Sequence, residues 1–193
     1  MHLAPVILVR HPPVAERYHG LCYGSSDVEL SADGFDKCQE LARLFVKIPI
    51  RRVFHSGMQR TRQLAEFIGE RLRLDPIVDI RLAERHFGTW ELRSWDEIFA
   101  ESGAAMDRVL TEPDAFRPGG GETTYDVRDR VLAWYAELPK RELTLAVTHA
   151  GPIAALLGTI RNEPAQQWIK LIPKPGDFVD LRAESLSSSA TLE

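Results

Sequence analysis

Only two cysteines, Cys22 and Cys38, occur in 193 residues, and neither stands at a metal-ligand spacing. Two thiols without a short secreted framework are expected as reduced side chains of a cytosolic protein rather than as a disulfide. Long apolar runs are missing as well, since no stretch approaches the length of a membrane span. The start Met1-His2-Leu3-Ala4-Pro5 puts no basic segment ahead of an apolar one, so no signal peptide is expected. Lys and Arg form no long run, and the formal charge is −4, so overall electrostatics do not support binding to nucleic acid or to an anionic membrane. Any anion must then be held by a local cluster. Pro118-Gly119-Gly120-Gly121 has no following lysine and is not a P-loop, and no close His/Asp spacing marks a metal site. The expectation is a soluble, cytoplasmic protein without metal or cofactor. Its partner is expected to be a small molecule, and the oligomeric state stays open, a homodimer included.

The chain has 44% hydrophobic residues, enough for one domain with an ordinary core. That domain is expected over 1–183, and the Ser-rich stretch 184–193, which lacks an apolar pattern, is expected to be disordered. The chain is organised around Val6-Ile7-Leu8-Val9-Arg10-His11. An apolar, β-branched run of this kind reads as a buried parallel strand. Pro12-Pro13 then opens a long loop, Ser31 can cap a helix with Phe35, Cys38, Leu41, Leu44 and Phe45 at helical spacing, and Val53-Phe54-His55 repeats the strand. Ser56 can cap a second helix that carries Leu64, Ala65, Ile68 and Leu72, with Arg60 in its first turns. Ile77-Val78 is a short strand, and Ser94-Trp95-Asp96-Glu97 reads as a capping box. Trp95 to Phe116 breaks the alternation and is expected as a helical insertion over one end of the sheet. A helix with Val127, Val131, Leu132 and Tyr135 follows, then the strand Leu143 to Val147, which runs into His149. Pro152 is expected at the first position of the next helix, and Ile169–Ile172 and Phe178–Leu181 as closing strands. The sum is an α/β domain, doubly wound, with a mostly parallel sheet flanked by helices.

Ligands of such sheets gather outside the carboxyl ends of the strands. Arg10, His11, Arg60 and His149 all fall there, and the irregular segment between them carries Glu84. Two guanidinium forks suit the oxygens of a dianion, so the inferred ligand is a phosphoryl group. Positive neighbours favour a neutral histidine, which can attack phosphorus, and a protonated Glu84 can supply the leaving oxygen with a proton. His55 and His86 are expected to be structural, and Trp90 and Trp95 either pack the core or border the pocket.

Arg10-His11 after a strand, Ser56 through Arg60-Thr61, Glu84 before Phe87-Gly88-Thr89-Trp90-Glu91, and Thr148-His149-Ala150-Gly151 together resemble the histidine phosphatase superfamily, which includes the cofactor-dependent phosphoglycerate mutases. The resemblance runs from about Val6 to Leu181 and implies a phosphoglycerate mutase-like fold. It further implies that His11 is transiently phosphorylated, that Arg10, Arg60 and His149 hold the phosphoryl group, that Glu84 is the proton donor, and that no metal is needed. Gly20 to Ser31 and Pro118 to Thr123 look most like the α-ribazole phosphatases of cobalamin assembly. Arg17, Tyr23, Ser25 and Glu122 are the substrate-binding candidates on that likeness. The alternatives are a phosphosugar or broad-specificity phosphatase, a mutase-like enzyme, or a catalytically silent phosphate- or partner-binding relative. Pro12 and Arg17 depart from the family pattern of a glycine after the histidine and an asparagine near the phosphate, and Pro12 removes a backbone donor.

Overall fold

The computed structural model describes residues 4–182, so the expected tail lies outside the described residues. Five strands form one sheet in the order β3-β2-β4-β1-β5. They are β1 (Val6–Arg10), β2 (Ile50–His55), β3 (Ile77–Val78), β4 (Leu143–Thr148) and β5 (Phe178–Asp180). All neighbours run parallel except β5, which pairs antiparallel with β1, Leu8 facing Val179. Residues of β1 and β4 are buried on both faces, as their unbroken apolar runs require.

Helices α1 (Ala32–Phe45) and α2 (Gln59–Leu72) cover one face, where Ile7, Val9, Cys38, Phe45, Leu64, Ile68 and Val147 form a core. Helices α5 (Thr124–Ala136) and α6 (Ala150–Ile160) cover the other, around Val6, Leu8, Val131, Trp134, Ala146 and Leu156. Between them, α3 (Trp95–Ser102), a 3-10 turn and α4 (Arg108–Thr111) form the expected insertion. It has its own small core of Cys22, Trp90 and Ile98 with Phe87, Trp95, Met106 and Phe116 around them. The Ser94 capping box starts α3 as its sequence indicates, and Ser31 caps α1 by accepting a bond from Gly34 N at 3.0 Å.

Four local expectations are corrected. Ser56 is not a helix cap, because α2 begins at Gln59 with Met58 before it, and the Ser56 hydroxyl is spent elsewhere. Pro152 is the third rather than the first residue of α6, still within the turn that needs no N–H partner. Phe35 and Leu44 of α1 are 43% and 45% exposed rather than in the buried stripe, and the Phe35 ring meets Phe67 of α2 edge-on instead. Ile169–Ile172 is no strand: Ala165–Leu171 is a 3-10 helix. Its period of three buries Ala165 and Trp168, and the indole lies over Gly158 so closely that any Cβ there would sit 2.1 Å from Nε1.

Candidate active site

The strand order makes β2, β4 and β1 neighbours, and Arg10 is level with Thr148 in the β1–β4 register. The sheet edge therefore collects His11 after β1, Ser56 after β2 and His149 after β4. Their backbones are tied: His11 N donates to Thr148 O at 2.9 Å. The rings of His11 and His149 lie 5.2 Å apart, and both side chains are buried.

His11 Nδ1 is 2.8 Å from the carbonyl oxygen of Pro12. A carbonyl only accepts, so Nδ1 carries the proton and Nε2 keeps its lone pair. Proline at position 12 removes an N–H but not this acceptor. Burial first, and then the Arg60 charge, push the His11 pKa down to about 3, which keeps the ring neutral. Burial and the same guanidinium hold His149 well below its ordinary value.

His149 stands just before α6, at the N-cap position but with no side-chain capping bond, and its Nε2 lies 2.8 Å from Ser56 Oγ. Ser56 Oγ in turn is 2.8 Å from Thr61 Oγ1, which is also 2.8 Å from Met58 O. Two backbone donors, Thr61 N and Arg62 N, already reach Met58 O, so the Thr61 proton can turn to Ser56 without orphaning that carbonyl. The two hydroxyls can thus direct the proton on His149 to either ring nitrogen.

Arg60 lies in the first turn of α2 and is fully buried. Its Nη1 donates to Ser26 O at 2.7 Å and its Nη2 to Gly24 O at 2.6 Å, which aims the guanidinium from beneath the 20–31 loop, with the Tyr23 ring 5.2 Å away. Arg10 Nη1 is fixed to Pro173 O at 2.9 Å. Arg10 Nε, Arg60 Nε and His149 Nδ1 are all buried without a hydrogen-bond partner. Buried polar atoms are rarely left so, and three converging here describe a place that wants an anion.

Glu84 enters from the segment between β3 and the insertion. Its Oε1 accepts from Arg85 N at 2.9 Å and Gly151 N at 3.1 Å, while Oε2 has only the longer contact to Gly151 N at 3.3 Å. The lack of a side chain at Gly151 leaves room for this carboxylate, since a Cβ would stand 2.4 Å from Oε1 and displace it. The backbone that carries Glu84 is held by Arg130, whose Nη atoms donate to the carbonyls of Arg81, Ala83 and Glu84. Thr148 Oγ1 donates to Leu82 O at 2.6 Å beside them.

The four substrate-binding candidates fall in different places. Tyr23 reaches the site, its ring 6.4 Å from that of His11. Ser25 is turned to Glu91, which accepts from its Oγ at 2.6 Å. Burial would raise the Glu91 carboxyl, but hydrogen bonds from Ser25 and Ser26 outweigh it and hold the pKa low. Glu122 accepts from Arg130 Nε at 2.8 Å and from His86 N at 2.9 Å, so it supports the arginine that positions Glu84. Arg17 is exposed and pairs with Glu29 and the Tyr18 hydroxyl.

A cavity of about 480 Å³ opens beside these groups, lined by Arg10, Tyr23 and Glu84 at one end and by Phe87, Trp90, Trp95, Met106, Leu110, Trp168 and Ile172 beyond. Trp90 and Trp95 thus border the pocket as well as packing the insertion. Sequence reasoning missed Ser56 as the partner of His149, Arg130 as the support of Glu84, and Arg85, a buried cation on the cavity wall. For Arg85 the only signal was its place beside Glu84. Among the described residues no group of three or more His, Cys, Asp or Glu side chains comes together as a metal-binding set. No helix among them is long and apolar enough to cross a membrane.

Known proteins resemble this chain in sequence and in fold. The probable phosphoglycerate mutase GpmB of Salmonella typhi is 29% identical over 163 residues, covering 83% of this chain and 76% of that protein. The mycobacterial glucosyl-3-phosphoglycerate phosphatase superposes with a TM-score of 0.77 at 29% identity, over 87% of this chain and 84% of that one. An α-ribazole phosphatase from Shigella flexneri shares the fold with a TM-score of 0.78 at 22% identity, over 90% and 88% of the two chains. The family model for branch 1 of the histidine phosphatase superfamily matches residues 6–185, and the chain belongs to that superfamily.

Proposed function

We propose that this member of the superfamily, whose enzymes are phosphatases or phosphoglycerate mutase-like, is a phosphomonoesterase working through a phosphohistidine, with no metal in the reaction. The observation that carries the reading is the convergence of Arg10 Nε, Arg60 Nε and His149 Nδ1, buried and unpartnered, around a neutral His11 whose Nε2 is open. Those groups bind the phosphoryl oxygens and supply the charge that develops in transfer. His11 Nε2 forms a bond to phosphorus as the ester P–O bond breaks, and the departing oxygen takes a proton from Glu84 Oε2. A water then attacks phosphorus, Glu84 takes its proton, the P–N bond breaks, and inorganic phosphate leaves.

The cavity favours hydrolysis over transfer between two hydroxyls. Beyond Arg10, Arg60 and His149, which serve the phosphoryl group in transfer, its wall offers one further cation, Arg85, too little for the second phosphoryl group of a bisphosphorylated intermediate. Its aromatic lining suits a leaving group with a flat apolar part, and α-ribazole 5′-phosphate, with its benzimidazole base, is the substrate we favour. The same reading puts the enzyme in the cytoplasm and in cobalamin assembly.

The test is phosphate release from α-ribazole 5′-phosphate, glucosyl-3-phosphoglycerate, 3-phosphoglycerate and p-nitrophenyl phosphate, with a chelator present and His11→Ala as control. Fast, His11-dependent release from the first alone supports the whole reading. Release that prefers another ester keeps the chemistry and removes the cobalamin assignment, and isomer formation from 3-phosphoglycerate in place of phosphate would overturn hydrolysis.

A further inference from the structure

Glu91 takes no part in the reaction and does not line the cavity, yet its carboxylate collects four donors from two segments of the site. It is half-buried and follows the 3-10 turn Gly88–Trp90. Its Oε1 accepts from Ser25 N at 2.9 Å, Ser25 Oγ at 2.6 Å and Phe87 N at 3.1 Å, and its Oε2 accepts from Ser26 Oγ. Among the described residues these are its only hydrogen-bond partners, and no Arg or Lys pairs with it. Gly24 packs against the same carboxylate, where a Cβ would stand 2.8 Å from Oε1 and equally close to Arg85 O.

Ser25 lies between the two carbonyls, Gly24 O and Ser26 O, that receive the Nη atoms of Arg60. Those neutral oxygens are the only hydrogen-bond partners of a fully buried guanidinium, and the charges of Glu84, Asp27 and Glu91 reach it only through space. The direction of the Arg60 fork is therefore set by where these two carbonyls stand. On one side the loop is tied to α2 by Gln59, whose N donates to Asp27 Oδ1 at 2.8 Å and whose Nε2 donates to Asp27 O at 3.2 Å. On the other it is tied by Glu91 alone, an acceptor-only group with room for all four donors. We propose that Glu91 is a positioning residue for phosphate binding, which fixes the Gly24–Ser26 carbonyls that aim Arg60 and joins them, through Phe87 N, to the segment that carries Glu84. The proposal rests on the phosphatase reading for the role of Arg60 at phosphate, and its test can fail separately.

The probe is inorganic phosphate, with affinity measured by calorimetry, beside kcat and KM for p-nitrophenyl phosphate and the melting temperature without ligand. Glu91→Ala should weaken phosphate binding by about 10-fold, the share of a charge-assisted bond that a misdirected fork gives up. Glu91→Gln should recover most of that loss, because its amide oxygen takes the three donors at Oε1 and its NH2 donates to Ser26 Oγ. In an Arg60→Lys background Glu91→Ala should cost less than about twofold, since a residue that acts through another is not additive with it. Ser25→Ala combined with Ser26→Ala removes two donors and keeps the carboxylate; it should weaken phosphate by about threefold, again only with Arg60 present, and it decides the matter if Glu91→Ala does not fold. Phosphate affinity kept within about twofold whatever the melting temperature, or a loss equally large in the Arg60→Lys background, would overturn the proposal. Phosphate binding that depends on Arg60 and Glu91 without turnover of any ester would leave Glu91 in its role and remove the phosphatase reading.

Discussion

Ser56 Oγ lies 2.8 Å from His149 Nε2 and equally far from Thr61 Oγ1, so two buried hydroxyls decide which nitrogen of His149 carries the proton. When Thr61 donates to Ser56 and Ser56 to Nε2, the proton sits on Nδ1, the unpartnered atom, and the ring becomes a donor to a phosphoryl oxygen. Ser56→Ala should lower kcat/KM by about 5- to 10-fold, the value of one such hydrogen bond. Thr61→Ala should do less. Steady-state kinetics checks the size, and nitrogen chemical shifts of His149 should show the tautomer mixture change in Ser56→Ala.

Glu84→Gln keeps the oxygen that accepts from Arg85 N and Gly151 N but cannot donate a proton in the acid's place. The fall in kcat should be about 10²- to 10⁴-fold on an alkyl phosphate and far smaller on p-nitrophenyl phosphate, whose leaving group needs no proton. Gly151→Ala, by driving its Cβ into Glu84 Oε1, should show the same leaving-group dependence in milder form. Equal losses on both esters would place Glu84 outside proton transfer.

The buried histidines make stability fall on the acid side. Folded, His11 stays neutral to about pH 3, whereas the unfolded chain takes up its proton near 6.5. Unfolding below pH 6.5 therefore binds a proton, so stability present above 6.5 is lost as pH falls toward 3, by about 1.4 kcal/mol per pH unit for each such group. His149, also lowered by burial, acts in the same direction. Urea unfolding at pH 7.5 and pH 5.5 should show the decline, and His11→Asn should make the slope shallower by about one histidine's share.

Arg17 lies at the surface, with Glu29 and Tyr18 as its partners, so Arg17→Ala should leave kcat/KM within about twofold. A larger loss in KM would mean that the 16–18 turn folds over the bound substrate.

What the sequence showed, and what it hid, follows from how far each signal reaches. Arg10-His11 and His149 were legible because each ends a buried apolar strand, and parallel strands bring such ends together whatever their separation in sequence. Arg60 was legible from its place at a helix start. Ser56 read as a cap because a serine before a helix commonly is one, and nothing local reports that its hydroxyl faces a histidine 93 positions on. Ile169–Ile172 read as a strand because short apolar runs do not separate the two periods, and contact with Gly158 settled it as 3-10. Arg85 was hidden because its burial comes from Phe87 and Thr124, which meet it only in the folded chain.

The most direct measurement is to mix the protein with a radiolabelled phosphomonoester, quench it in alkali within a turnover, and locate the label by mass spectrometry. The account predicts an alkali-stable, acid-labile phosphoryl group on His11 Nε2, absent in His11→Ala and longer-lived in Glu84→Gln with p-nitrophenyl phosphate. Turnover at full rate in His11→Ala, or a label on any other residue, would contradict it.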